Sequence, residues 1–184
     1  MSNLKPSAEK PWMKYFPKES QSAEMPYRTI YDSVRKNCME HPSKKALYYY
    51  GTSVTYGDFL KRVDALADAY YGIGVREGDM VSFLMPTTPE SIYSLYALSK
   101  IGATPNFIDP RMDIGRILDA AEGVHSRLMV SIDVAFPKVE KILPQLSVEK
   151  IIIAPANISL MLPVKLAQSL TTKTPKIPYD LHGV

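Results

Sequence analysis

At 184 residues, with 46% hydrophobic and 22% charged side chains, the chain has the composition of a soluble globular protein with a core of ordinary size. A formal charge of +3, with 22 basic residues dispersed along the sequence, excludes the dense basic patch of a nucleic-acid binder. The single Cys38 excludes an internal disulfide framework and fits a reducing, cytoplasmic setting, and no stretch has the core of a signal peptide or the ~18 apolar residues of a membrane span.

Residues 1–25 read as an extended arm, polar and punctuated by Pro6, Pro11 and Pro17. Trp12, Tyr15 and Phe16 are expected to anchor that arm on the surface of a domain. Residues 26–154 read as one α/β subdomain. A helix is predicted over 29–40, with Ile30, Val34 and Cys38 on one face beside Tyr31 and Met39, ended by His41-Pro42. Aromatic and β-branched residues over 45–50 and 52–55 flank Gly51 and predict a β-hairpin. Thr55 then caps a helix striped by Phe59, Val63, Leu66 and Tyr70, with Asp58 in its first turn and Gly72 and Gly74 closing it.

Four strand candidates follow, over 80–85, 104–108, 128–132 and 150–154, the first interrupted only by Ser82. Between the first two, Thr88-Pro89-Glu90 supplies a cap, a first-turn proline and a first-turn acid. Asp113 caps the next helix, through Ile114, Ile117, Leu118 and Ala121 to Gly123. A short helix through Val139, Ile142 and Leu143 leads to the last strand. Near-continuous apolar strands alternating with amphipathic helices predict an α/β fold with an open, Rossmann-like, mainly parallel sheet covered on both faces. Residues 155–184 read as a connecting segment, with a short amphipathic helix over 162–170 and a linker-like tail over 171–184.

Sites with a recognisable chemistry are not built from these residues. Gly72-Ile73-Gly74 closes a helix, whereas a dinucleotide fingerprint opens one. No Walker string occurs, and no glycine lies between Gly123 and Gly183 to form a phosphate cradle. His41, His125 and His182 stand far apart and away from Cys38, which excludes metal-ligand spacing. Asp119 and Glu122 fit a solvated helix face. In open parallel sheets, ligands bind beyond the carboxyl ends of the strands. The loops expected there are 86–88, 109–111 and 133–135. They bring Arg111, Lys138 and Lys141 near helix starts, where the three cations fit either a phosphate or ordinary surface charge.

Val54-Thr55-Tyr56-Gly57-Asp58-Phe59 and the run from Leu98-Ser99-Lys100 to Ile108-Asp109-Pro110 resemble the first two core motifs of the adenylate-forming (AMP-binding) enzymes. Lys10 to Tyr15, Gly74 to Val81 and Met85 to Glu90 follow in the order seen in acyl-CoA synthetases, above all fatty-acid–CoA ligases. The resemblance covers roughly residues 12–154 and implies the start of the large N-terminal domain of such an enzyme. The whole enzyme activates a carboxylate, here a fatty acid, with Mg-ATP and passes the acyl group to CoA. The phosphate loop, the nucleotide contacts and the catalytic lysine of the family are expected beyond Val184. The resemblance therefore assigns no catalytic residue and no metal ligand within the chain. It leaves Lys138 and Lys141 as candidates for a CoA phosphate. It also implies that residues 1–184 alone are inactive, bind ATP, Mg and CoA weakly and pair with a missing remainder of their own chain. The alternative is a stand-alone module, derived from such an enzyme, that grips acyl chains or a partner protein.

Overall fold

In the computed structural model, which describes residues 9–21, 29–171, 175 and 177, the helix-and-strand order read from the sequence is the order found. Helix α1 (Ile30–Glu40) starts on a reciprocal capping box in which Thr29 and Asp32 bond each other's backbone. Strands β1 (Lys45–Tyr49) and β2 (Thr52–Thr55) pair antiparallel. Their turn is made by Tyr50 and Gly51, both at positive φ (41° and 85°), as a tight two-residue hairpin requires. Helix α2 (Tyr56–Gly72) is capped by Thr55 and buries Phe59, Val63, Ala67 and Tyr70, a helical repeat that faces one side of the molecule.

The main sheet has strands β3 (Met80–Leu84), β4 (Thr104–Ile108), β5 (Leu128–Ile132) and β6 (Lys150–Ala154), all parallel, in spatial order β4-β3-β5-β6. Side chains alternate between its two faces. Val81, Phe83, Leu128, Val130 and Ile132 join the core shared with α1, α2 and α3 (Pro89–Ile101). Leu84 and Met129 join a second core against α4 (Ile114–Glu122) and α5 (Phe136–Ile142). The two cores confirm the α/β reading of a parallel sheet covered on both sides.

Ser82 interrupts the apolar β3 without cost because it is satisfied where it is buried. It shares a hydrogen bond with the Ser126 hydroxyl and accepts one from Asn106 Nδ2 at 3.0 Å, and that amide also donates to Ala120 O. A second polar tie joins the helices of the first face. The Tyr31 hydroxyl and the Lys100 ammonium both donate to Asp64 Oδ1, at 2.6 and 2.7 Å. Burial, followed by the Asp64 carboxylate, pushes the Tyr31 phenol up to about 12.

Two local expectations are corrected. In α1 the structure buries Tyr31 and Cys38 in the core and leaves Ile30 half exposed, with the inward Tyr31 donating to Asp64. Trp12 and Tyr15, on a single helical turn (Pro11–Tyr15) that buries nothing, and Phe16 just after it stand 43%, 78% and 52% exposed. The arm's aromatics are thus not anchors among the described residues. Residues 1–8 and 22–25 of the expected arm, residues 26–28 at the start of the subdomain and nearly all of the tail lie outside the described residues. The helix expected near 162–170 is α6 (Leu162–Thr171), with Leu162 and Leu166 exposed. Among the described residues no helix is long and apolar enough to cross a membrane.

Phe83 is fully buried in the central strand against Phe107. Phe83→Ala should cost about 3–5 kcal/mol of unfolding free energy in urea denaturation. Ile30→Ala should change it by less than about 0.5 kcal/mol.

Candidate functional site

The strand order creates the site. From β3 the chain crosses through α3 to β4 on one side, then returns over β3 through α4 to β5 on the other. The loops leaving β3 and β5 consequently diverge to opposite faces of the sheet. This is a topological switch point, and the crevice beyond the strand ends at such a point is where open α/β sheets take ligands. A cleft of about 700 Å³ lies there, between the ends of β3, β4 and β5 and the first turns of α3. Its floor is apolar, with Met85, Phe107, Ile108 and Ile132, and its rim carries Asp109 and Arg111.

Each rim loop is braced by its own residues. After β3, Thr88 and Ser91 form a capping box, with Pro89 in the first turn of α3. After β4, Arg111 donates from Nε to both Asp109 oxygens at 3.0 Å and from Nη2 at 2.6 Å. Its backbone N–H also reaches Asp109 Oδ1 at 2.9 Å. The Arg111 guanidinium beside Asp109 pulls the carboxyl down to about 2. Lys138 spans from α5 to hold the same loop, donating to Pro110 O at 2.6 Å and Met112 O at 2.7 Å. After β5, the buried Asp133 accepts from Val134 N at 2.7 Å and from Ala156 N at 3.1 Å. That carboxylate ties the exit of β5 to the chain leaving β6.

The structure therefore brings the three loops of the sequence reading together, but it distributes the cations differently from a phosphate cradle. Arg111 is largely engaged by Asp109, and Lys138 by two carbonyls. Lys141 is exposed one turn along α5, on the same helix face as Lys138. Glu122 is not simply solvated: it accepts from the Ser147 backbone and hydroxyl, both at 2.7 Å, and those bonds hold its carboxyl below the usual range. Burial pushes the Cys38 thiol up, which suits a packed cysteine. Among the described residues no three His, Cys, Asp or Glu side chains converge to hold a metal ion. Asp133 and the set Tyr31, Asp64 and Lys100 were missed by sequence reasoning. Only the position of Asp133 at a strand's carboxyl end marked it, and nothing local marked the other three.

Comparison with known proteins places this geometry. The family model described as AMP-binding enzyme matches residues 34–178. Acetyl-coenzyme A synthetase 1 of Candida albicans is 31% identical over 109 residues, which are 56% of this chain and 16% of that protein. The long-chain-fatty-acid–CoA ligase of Bacillus subtilis is 23% identical over 167 residues, 90% of this chain and 30% of the ligase. Among solved structures, a fatty acyl CoA synthetase from Mycobacterium tuberculosis superposes with a TM-score of 0.64 at 21% identity, over 82% of this chain and 30% of that one. A long-chain-fatty-acid-CoA ligase from Archaeoglobus fulgidus gives 0.67 at 17% identity, over 85% and 33%. The chain thus spans less than a third of the length of the curated relatives it matches.

The Asp109–Arg111 pair can be tested by titration. Because the folded value lies below the ordinary 3.8, the pair's contribution is present above that pH and fades as pH falls toward 2. Carboxyl chemical shifts should show Asp109 titrating near 2, and Arg111→Ala should return it toward the ordinary range. Lys138→Ala should speed amide exchange of Met112, whose carbonyl loses its brace.

Proposed function

The chain belongs to the AMP-binding enzyme family, and on that premise we propose that it forms the opening part of the N-terminal domain of an acyl-CoA synthetase. The reaction in this reading is adenylation of a carboxylic acid by ATP, followed by thioester formation with CoA. The observation that carries it is the family match across residues 34–178, over a fold like that of a fatty acyl CoA synthetase. A fatty acid is the proposed carboxylate, because the likeness to the long-chain ligase runs through 90% of the chain. A cytoplasmic setting goes with that reading.

This chain's own contribution is structural. The switch-point cleft offers an apolar floor that sheds water, a rim whose one guanidinium is already paired, and three loops held by Thr88, Lys138 and Asp133. No cluster of three His, Cys, Asp or Glu side chains among the described residues fits Mg. The glycine-free span between Gly123 and Gly183 does not fit an ATP phosphate loop. For CoA the residues do fit in part. Lys138 and Lys141 share a face of α5, and Lys141 is the one with its ammonium in solvent. We assign Lys141 the CoA phosphate contact, with Lys138 beside it as a loop brace.

Two outcomes are expected. The purified chain should show no ATP–pyrophosphate exchange with Mg and a fatty acid, and exchange above background would refute the reading of this chain as a scaffold without its own chemistry. In a synthetase that contains this chain, Lys141→Glu should weaken CoA binding by up to about fivefold, as expected for an exposed ion pair. Unchanged affinity would remove the CoA assignment and leave the family assignment standing.

A further inference from the structure

The two edges of the main sheet are not alike. At β4 the Thr104 N–H donates inward to Asp79 O at 2.8 Å, so the next residue, Pro105, faces outward. A proline there has no N–H to offer, which makes the outer side of β4 a poor template for another strand. At β6 no such guard exists. Its five residues, Lys150–Ala154, include no proline and pair with β5 in continuous register. Among the described residues no strand and no backbone hydrogen bond meets the outer side of β6.

The charges beside β6 do not guard it either. Edge strands are commonly protected by lysines that reach outward. Lys150 instead turns back to donate to Ile73 O at 2.8 Å, just past the end of α2, and Glu149 is held by Arg127 Nε at 2.8 Å. What remains is apolar. Ile152 is 37% exposed and Ile158 54%. With Leu66, Ala69 and Ile73 they line a groove of about 550 Å³ beside the strand. Ile151 and Ile153 face the other way, onto the second core, where Ile177 also packs.

We propose that β6 pairs antiparallel with β6 of a second copy of this chain, about a two-fold axis at Ile152. A second copy is the occupant because this edge matches itself. In that register Lys150 meets Ala154 of the second copy, Ile151 meets Ile153, and Ile152 meets its own counterpart. Outward N–H and C=O groups therefore face outward groups, as an antiparallel ladder requires. No like charges are set opposite each other. The axis stands perpendicular to the sheet, so the two grooves join on one face with the Ile152 pair between them. Such an interface is isologous and closes at two copies, because the outer edges left over are the two β4 strands with Pro105. A five-residue ladder beside a shallow groove lies at the small end of protein interfaces, so the dimer is weak and reversible. The pairing does not rest on adenylation or on CoA binding.

Sedimentation velocity of the purified chain over roughly 1–200 µM should show a reversible monomer–dimer equilibrium, with a Kd on the order of 10–100 µM. Ile152→Lys sets two ammonium groups against each other on the axis and should raise Kd about tenfold or more. Thr104→Lys, on the β4 edge, should leave Kd unchanged. Ile152→Cys, treated with copper phenanthroline, should cross-link into a covalent dimer, two thiols giving one disulfide and passing two electrons to the oxidant. The native Cys38, 1% exposed, stays out of that reaction. A chain that remains monomeric throughout the range would overturn the proposal and assign the outer side of β6 to polypeptide of the same chain. Assemblies that grow past two copies, a Kd that Ile152→Lys leaves unchanged, or an Ile152→Cys variant that cross-links no faster than Thr104→Cys would also overturn it.

Discussion

Strand β3 has to be buried on both faces, and the rest of the structure follows from how that is done. Val81, Ser82, Phe83 and Leu84 are all fully enclosed. A parallel strand cannot be paired by a hairpin; each neighbour must arrive through a crossover, which places a helix on one face or the other. With β4 on one side and β5 on the other, the crossovers must lie on opposite faces, α3 above and α4 below. The reversal that encloses β3 is the same reversal that parts the loops and opens the cleft. Core and candidate site are two consequences of one topology.

Apolar burial alone would leave the relative placement of these layers loose, and the polar contacts restrict it. Ser82, Ser126 and Asn106 form a string through the sheet that reaches the backbone of α4. Asp64 collects Tyr31 from α1 and Lys100 from α3 onto α2. Asp133 couples the ends of β5 and β6, and Lys138 couples α5 to the loop after β4. Each joins elements far apart in sequence and satisfies groups that would otherwise be stranded away from water. These contacts brace the loops that wall the cleft around its apolar floor.

Around the cleft the polar rim groups are spoken for: Arg111 by Asp109, Lys138 by carbonyls, Asp133 by backbone N–H groups. Beside β6, by contrast, the Tyr93 hydroxyl is buried with no hydrogen-bond partner, in a groove that Arg62 and the Glu90 carboxylate both line.

Most of the fold was legible in the sequence because it rests on local signals. Thr55, Thr88 and Asp113 mark helix starts through bonds three residues long. Gly51 and Gly102 mark turns through positive φ, and the runs of Val, Ile, Leu and Phe mark strands by period. The motif order that resembles the AMP-binding enzymes was legible for the same reason. What the tertiary structure alone decided is everything that depends on partners distant along the chain. The rotation of α1 toward Tyr31 is one case, and the engagement of Lys138 by Pro110 and Met112 is another. The exposure of Trp12, Tyr15 and Phe16 and the stranded hydroxyl of Tyr93 belong with them. A charge or a hydroxyl has the same appearance in sequence whether it is paired or not; only the approach of another element determines whether it is free to bind something else.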